Sequence, residues 1–538
     1  MQRYTAQVII IGGGATGVGL LRDLSLRGVA ALLLEQGDLA HGTSSRFHGL
    51  LHSGARYAVK DPLAAAECVR ENEILNKVAP HCVRATGGWF VELAADDPSY
   101  TQAWLAGCSQ AGIPVQEISP VEACRMEPML TRQVRRVFEV PDAAVDGFQL
   151  VWANARAAAE GGASYKTYHR VEKVLRRGHA VSGVYGENVL THEKFLAEGQ
   201  LVVNATGAWA AQIAAAAGAS LEVICDKGTL LAFNQRLCQR VINRLRVPGD
   251  GDIFVPHETI TIFGTTSELV QSPRENEPTD EEADYLLSLG ADLLPHLAAC
   301  RVIRAFAGVR PLHADDRELG KDGEEGREVS RNFALIDHGE RDGIEGLLSI
   351  VGGKFTTYRL MAEKAADWAA AKLGVTAPCR TAEVSLAPHI PEDAVKTAKR
   401  LLPAGAAEKM VARLGPGTPK AVEAIQGDPR KAQLLCECEM VTVAEVEQVA
   451  ADGDTHHLAD VRRKTRLGMG TCQGAFCTYR ALQFLRHAEA KPALPVDELT
   501  SFLNQRWKGI RPVAWGPQLR ETELTRAIYL GLLDLGGN

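Results

Sequence analysis

Four cysteines sit late in the chain as Cys436-x-Cys438 and, after 33 intervening residues, Cys472-x4-Cys477. Four thiolates gathered by one small module are soft ligands, and soft ligands select zinc or iron–sulfur. Structural zinc knuckles use a C-x2–4-C spacing; the C-x-C pair is tighter and suits two bridged iron atoms. Arg462, Arg463, Lys464 and Arg466 precede the glycine-rich run Gly468-Met469-Gly470-Thr471-Cys472-Gln473-Gly474. Amide N–H groups in such a loop can donate to sulfur, and nearby cations stabilise an anionic cluster. A second set of reactive residues is spread over the first two thirds: His52, Arg56, Tyr57, Arg310, Arg331 and Lys354. Arginine is the bidentate donor for phosphate or carboxylate. Histidine is the usual base near neutral pH, and a lysine desolvated beside arginines can be lowered into the same range. The base is open between His52 and Lys354.

Strands and turns must place these groups. Val8-Ile9-Ile10-Ile11 is a buried-strand run that enters Gly12-Gly13-Gly14-Ala15-Thr16-Gly17, a G-x-G-x-x-G turn. Helical sequence follows to Arg27 and Gly28, then a second apolar strand, Ala31-Leu32-Leu33-Leu34, ending on Glu35. This is the dinucleotide fingerprint in its required context. Gly12 serves the tight turn, Gly14 the approach of a pyrophosphate, and Gly17 the close packing of helix on strand. The pyrophosphate sits on the helix N-terminus, among Ala15 and Thr16, and Glu35 accepts from the adenosine ribose. Thr442-x-x-Glu445 is a capping box that opens a helix in the cysteine module.

The fingerprint does not choose between NAD and FAD; later segments do. Thr43, Ser44 and Ser45 form a small-residue loop after the second strand that can lie against pyrophosphate and flavin. Asn204-Ala205-Thr206-Gly207 follows another apolar strand and is similar to the second dinucleotide motif of flavoproteins. Gly352-Gly353-Lys354-Phe355-Thr356-Thr357 brings a helix N-terminus near the flavin pyrimidine, where its dipole stabilises charge on the reduced ring. The chain has 538 residues, enough for two or three domains, and its net charge of −7 argues against a nucleic-acid surface. No apolar run is long enough to span a bilayer and no signal peptide is evident, so a cytoplasmic protein is expected. Residues 1–375 are read as FAD-binding sequence with an interleaved substrate domain and 376–430 as a linker with short helices. Residues 431–490 are read as the cysteine module and 491–538 as a helical tail. The stretch 315–331 is expected as a charged surface loop.

The first 375 residues resemble the flavin-dependent glycerol-3-phosphate dehydrogenases, through S-S-[KR], H-[GS]-G-x-R-Y, N-A-T-G, G-[VL]-R-P-L and G-G-K-x-T-T-Y-R. The cysteine module resembles the [2Fe–2S] domain of bacterioferritin-associated ferredoxin, apart from its C-x4-C second pair where that protein has C-x2-C. The whole chain is similar to the large catalytic subunits of the anaerobic members of the dehydrogenase family. The resemblance implies an α/β fold: a Rossmann-like FAD domain with an inserted antiparallel-sheet substrate domain, a small helical [2Fe–2S] module and a helical tail. It implies that Arg56 and Tyr57 contact substrate, that Arg310 and Arg331 bind phosphate and the C2 oxygen, that Lys354 sits near flavin and substrate, and that His52 lies beside the isoalloxazine. The implied activity is oxidation of sn-glycerol 3-phosphate to dihydroxyacetone phosphate. Electrons would leave through the cluster on Cys436, Cys438, Cys472 and Cys477 to partner subunits and quinone. One partner would be a second flavin protein, with FMN a possible further cofactor of the assembly. The other would be a membrane-associated iron–sulfur subunit that holds the chain at the inner face of the membrane. Two other readings stay open: a dehydrogenase of 2-hydroxyglutarate or an amino or imino acid, and a non-catalytic flavin-binding subunit. Leu524, Ile528 and Leu532 have helical spacing in the tail, which either packs on its own domain or docks a partner.

Overall fold

A computed structural model describes residues 1–313, 332–387, 389–486 and 495–532. Arg331 and the charged stretch 315–331 therefore lie outside the described residues. The central sheet has six strands in the order Ser164–Lys166, Ala31–Leu34, Val8–Ile11, Leu201–Asn204, Leu347–Gly352 and Phe333–Asp337. The first five are parallel and the last is antiparallel. Val8 pairs with both Ala31 and Leu201, so the ends of three strands, each carrying one of the glycine motifs or Glu35, lie side by side. Val8, Ile9, Ile10, Leu33, Val202 and Val203 are fully buried. A strand with apolar residues on both faces needs cover on both. Helices Ala15–Leu26, Gly147–Glu160 and Tyr358–Leu373 cover one face through a single apolar cluster. The other face packs on a four-stranded sheet in the order Gln2–Thr5, Lys194–Glu198, Ala180–Asn188, His169–Arg177.

The interleaved sheet has nine strands, built mostly of antiparallel pairs around the long strand Ile224–Phe233, which pairs with Val302–Leu312 along its whole length. One joint departs from the antiparallel expectation: Val241–Arg244 runs parallel to Gly88–Leu93. That joint ties sequence before residue 100 to sequence after 240, and it closes the two halves of this sheet into one wall.

Sequence 376–430 is more than a spacer. Helices Glu392–Leu401, Ala404–Leu414 and Thr418–Gly427 bury Ala398, Ala406, Ala407, Met410 and Val422 in one cluster with Ala444 and Val449 of the cysteine module. In that module a short hairpin, Leu434–Cys436 with Val441–Thr442, leads into helix Val443–Ala450, which starts on a capping box of Thr442 and Glu445. The tail helix Gly516–Leu532 packs through Gln518, whose amide donates to Val302 O at 3.0 Å, and through the Tyr529 hydroxyl, which donates to Ala475 O. Leu524 and Ile528 stay exposed, at 62% and 44%. Among the described residues no helix is long and apolar enough to cross a membrane.

Helix Tyr358–Leu373 is clamped to helix Pro62–Val78 by a buried bidentate pair. Arg359 donates to Glu71 at 2.6 and 2.8 Å, and to Thr381 at 2.9 Å. This pair fixes the turn that carries Gly353 and Lys354 relative to the segment that carries His52 and Arg56. Arg359 also pairs with Glu363 at 2.7 Å, so loss of Glu71 leaves its charge partly answered, at a cost of about 1–3 kcal/mol. Glu71→Ala is therefore expected to lower the stability read from the denaturant midpoint by that order; a midpoint unchanged within about 0.5 kcal/mol would show that the clamp carries no stability.

Candidate active site

Where the three central strands end, a cavity of about 980 Å³ opens between the two large sheets. It runs from Glu35 and Gln36 at one end to His52, Arg56 and Lys354 at the other. Gly12, Gly14, Ala15 and Thr16 form its floor, and Ala205, Thr206 and Gly207 one side. Gly12 has φ +109°, and a Cβ there would lie 2.6 Å from Ala205 O, so the two motifs touch backbone to backbone. A Cβ on Gly17 would lie 1.9 Å from Gly12 O, so any side chain would push the helix off the strand. Gly17 shapes the turn and does not itself line the cavity. The Ala15 amide donates to Ser44 Oγ at 3.0 Å at the helix N-terminus. Thr43 Oγ1 donates to Val309 O at 2.7 Å and pins the loop to the substrate-domain sheet. Ser45 turns its hydroxyl back to Gly42 O at 3.0 Å and lies off the cavity wall, so it supports the turn.

Glu35 has a role that its sequence position alone does not reveal. Its carboxylate accepts from Gly13 N at 2.6 Å and Gly37 N at 2.9 Å, bracing the glycine turn while one edge faces the cavity. Burial pushes its pKa up, and the amide donors oppose that. The elongated cavity, its close-approach glycines and the free helix N-terminus make a cradle for a dinucleotide.

At the far end the reactive residues converge. The His52 amide donates to Thr356 Oγ1 at 3.1 Å, joining the two segments of the sequence motif. The His52 ring lies 5.6 Å from the Tyr57 ring and 5.9 Å from that of His48. Burial, and then the charges of His48, Arg56 and Lys354, hold His52 well below the ordinary histidine pKa, so it is neutral. Lys354 Nζ sits over the Tyr57 ring, 4.7 Å from its centre. Arg56 Nη2 donates to Asp252 Oδ2 at 3.0 Å and to Gly249 O at 2.9 Å. Arg310 Nη1 donates to Asp226 Oδ2 at 2.7 Å, and its Nη2 to Thr266 O at 3.1 Å and to the Thr265 hydroxyl. Gly228 leaves the room for this, since a Cβ there would meet Arg310 Nη2 at 2.2 Å.

Several residues of the site escape sequence reasoning. Asp226 and Asp252 are fully buried and aim the two arginines; Asp252 also holds Arg246. Asp142, also buried, accepts from Ser53 N at 2.6 Å. His48 is driven down to about 3 by burial and by Arg310 and Arg56, and its carbonyl accepts from His257 Nε2 at 2.8 Å. These partners lie far away in sequence, and only the sheet brings them together.

The four cysteines form a row rather than a single knot. Cys438 and Cys472 have sulfurs 3.6 Å apart, Cys436 neighbours both Cys438 and Cys477, and among the described residues no three ligands converge on one point. A lone zinc needs all four sulfurs around one centre, whereas a two-iron rhomb takes them as two pairs. The row fits the second. Amides of Gly468 reach Cys436, and those of Gly474 and Phe476 reach Cys472; the hydrogen bond with Cys438 lowers Cys436, but Cys477 and burial outweigh it and push the thiol up to about 11. Arg463 donates to Asp38 at 2.6 Å, Arg466 to Asp146 at 2.9 Å, and the Tyr168 hydroxyl to Asp460 at 2.7 Å. These contacts seat the module on the nucleotide domain.

Comparison with known proteins agrees with this architecture. Residues 7–368 match the family of FAD dependent oxidoreductases, and residues 434–487 match the BFD-like [2Fe-2S] binding domain. The chain is 45% identical over 536 residues to the A subunit of anaerobic glycerol-3-phosphate dehydrogenase from Escherichia coli (strain K12), covering 99% of this chain and 97% of that one. The A1 subunit of the enzyme of that name in Haloferax volcanii is 41% identical over 549 residues, covering 99% and 91%. In structure, the glycerol-3-phosphate dehydrogenase from Bacillus halodurans complexed with FAD superposes with a TM-score of 0.68 at 20% identity, over 95% of this chain and 96% of that one. Glycine oxidase from Geobacillus kaustophilus shares the fold at a TM-score of 0.56 and 23% identity, over 72% and 100%. FAD and a [2Fe–2S] cluster are thus the cofactors of this architecture, and the chain belongs to the family of anaerobic glycerol-3-phosphate dehydrogenase A subunits, FAD dependent oxidoreductases that carry a BFD-like [2Fe–2S] domain.

Proposed function

We propose that the chain oxidises sn-glycerol 3-phosphate to dihydroxyacetone phosphate and passes the electrons singly through its cluster to partner subunits and on to quinone. The observation that carries this reading is the convergence of Arg56, Arg310, Lys354 and His52 on one end of the dinucleotide cavity. Two guanidinium groups held by Asp252 and Asp226 offer positive charge and their remaining N–H donors to a phosphate without losing much side-chain entropy on binding. Lys354 beside Tyr57 supplies a donor for the C2 oxygen. His52, neutral and fixed through Thr356, takes the C2 hydroxyl proton as the hydride leaves carbon. FAD, when bound, accepts the hydride, and the cluster carries single electrons. Arg331 belongs to the same reading as a further phosphate donor. Two partners, a second flavin protein and a membrane-associated iron–sulfur protein, would hold the chain at the inner membrane face; its relatives are named as one lettered component of a larger enzyme, which supports an assembly.

A second reading, a dehydrogenase of 2-hydroxyglutarate or an amino or imino acid, draws on the shared fold of the glycine oxidase. Anaerobic mixing separates the two. With sn-glycerol 3-phosphate the flavin band should bleach and the EPR signal of a reduced [2Fe–2S] centre should follow, while glycerol and glycerate leave the flavin oxidised. Bleaching by 2-hydroxyglutarate or glycine, and none by the phosphate ester, would refute the main reading.

The His52 assignment has a pH signature. A histidine held below its ordinary value of about 6.5 stays a competent base through neutral pH and is lost only on further acidification. The flavin-reduction rate at saturating substrate should therefore keep its plateau down past pH ~6.5, and His52→Asn should cut it about 10²–10⁴-fold. An acid limb centred at or above that value in wild type would remove His52 from the role.

Cys472→Ser tests the relay. The variant should still show substrate-driven flavin bleaching at the wild-type rate, lose the cluster's EPR signal, and pass electrons to a quinone acceptor in the assembled enzyme at least about tenfold more slowly. Undiminished transfer to quinone without a cluster would end the relay idea.

A further inference from the structure

Arg46, Arg304, Arg462 and Arg506 come from four separate parts of the chain. They lie on the loop after the second strand, on the long strand Val302–Leu312, on helix Leu458–Thr465 of the cysteine module, and on the tail helix Pro495–Ile510. The fold ties these parts together. Arg46 Nη1 donates to Ala307 O at 3.4 Å, and Arg304 Nη2 to Gln505 O at 3.1 Å. Helix Pro495–Ile510 lies so close that a Cβ on Gly509 would come 2.8 Å from Arg304 Cζ.

Several other buried or half-buried arginines have carboxylates, as Arg359 has Glu71, Arg413 has Glu445 and Arg463 has Asp38, while the buried Arg22 donates to the carbonyls of Thr381 and Val384. Arg46, Arg304, Arg462 and Arg506 have no carboxylate among the described residues. The Nε atoms of Arg462 and Arg506 are buried with no hydrogen-bond partner at all. Burial and the neighbouring guanidinium groups Arg462, Arg46 and Arg506 bring Arg304 down to about 9, and burial with Arg463 brings Arg462 down to about 10. Like charges gathered in a half-dry crevice are unfavourable unless an anion answers them. The two ends of the row show which anions do so. Arg46 lines the dinucleotide cavity. Arg462 feels the Cys477 thiol and Arg506 the Cys472 thiol. Four thiolates on two irons carry net negative charge, and each electron that arrives adds one more.

We propose that Arg304, Arg462 and Arg506, continuing from Arg46, form a cationic bridge between the flavin site and the cluster that raises the cluster's reduction potential and so draws the electron out of the reduced flavin. The inference rests on the relay reading above. In the step itself one electron leaves the reduced flavin and adds to the cluster; no bond forms or breaks. The three arginines bind neither substrate nor iron; they act by charge, and the cluster's potential is their readout.

The test is an EPR-monitored redox titration of the full-length holoprotein with dithionite and mediators, which needs no substrate. In Arg304→Gln and Arg462→Gln the ratio of reduced to oxidised cluster at fixed poise should fall about tenfold, equivalent to about 59 mV for a one-electron couple. Arg304→Lys and Arg462→Lys, which keep the charge, should titrate as wild type. Gly509→Asp removes no arginine or thiolate; its Cβ displaces the flexible Arg304 head while giving it a carboxylate, and it should shift the potential in the same direction. In rapid mixing with sn-glycerol 3-phosphate, flavin bleaching should keep its rate in the Gln variants while the cluster signal appears about tenfold more slowly. Potentials of Arg304→Gln, Arg462→Gln and Gly509→Asp all equal to wild type would overturn the bridge. Shifted potentials with no bleaching by the phosphate ester would instead keep the bridge and overturn the substrate reading.

Discussion

Two redox sites act as one enzyme only if the gap between them is fixed, because electron transfer falls away steeply as that gap opens. Here the cysteine module is seated on the nucleotide domain by a set of ion pairs and hydrogen bonds. Arg463 reaches Asp38, just beyond the strand that ends on Glu35; Arg466 reaches Asp146, the cap of helix Gly147–Glu160; and Tyr168 reaches Asp460. Asp38 and Asp460 are fully buried. Charges so placed are costly to separate, so the module is held at one position rather than tethered loosely. Arg466 also grips Glu439, next to Cys438, at 3.0 Å. The same side chain thus links a cluster ligand's neighbour to the nucleotide domain, and its backbone adopts φ +65° to do so. A bare apolar contact of equal area would permit sliding; directional pairs do not.

The same economy governs the substrate end. A pocket with several cations would be unstable and promiscuous if the cations were mobile. Asp226 and Asp252 remove both problems. Each is fully buried and each engages an arginine from a different part of the chain, so the guanidinium planes are aimed before any ligand arrives. Partial neutralisation also lowers the repulsion felt by His52 and His48. What remains is a set of fixed cations around an imidazole held neutral, an arrangement that would suit the proposed reaction of an anionic polyol.

Some of this was legible in the sequence because it is local. The G-x-G-x-x-G turn, the strands around it and the Thr442–Glu445 capping box depend on residues within a few positions of one another, and backbone sterics force their form. The residues His52, Arg56, Arg310 and Lys354 stood out by type and by their turn-like surroundings, and the sheet brings them to one cavity. What was not legible is pairing at a distance. Nothing near Arg56 points to Asp252, 196 positions away, nor anything near Arg310 to Asp226, 84 positions away. Glu35 and Ser45 face partly or wholly into their own turns, a choice made by competition between backbone amides and ligand that composition does not display. Residues 376–430 read as a linker because alanine, glycine and proline dominate them, yet alanines suffice for a core where helices approach closely, as Ala398, Ala406 and Ala407 do. The arginines without carboxylates at the module junction were invisible for the same reason as the aspartates: an absent partner can be recognised only once the neighbours are known.

The fold alone cannot name a substrate, since this scaffold also serves a glycine oxidase. Chemistry is decided where the two large sheets face each other, by a handful of side chains. An amino acid presents one carboxylate and an amine at the same carbon, so it asks for one cation close to the hydride path. Here the cations are anchored separately: Arg56 through Gly249 and Asp252, Arg310 from the strand Ile224–Phe233 through Asp226, and Lys354 over the Tyr57 ring. The two arginines cannot both swing onto one small carboxylate without breaking a pair to a buried aspartate. On the proposed reading, a substrate with a dianion at one end and the reacting carbon at the other would engage all three, and it is the separate anchoring of the cations, rather than their number, that would favour a phosphate ester over a simple acid.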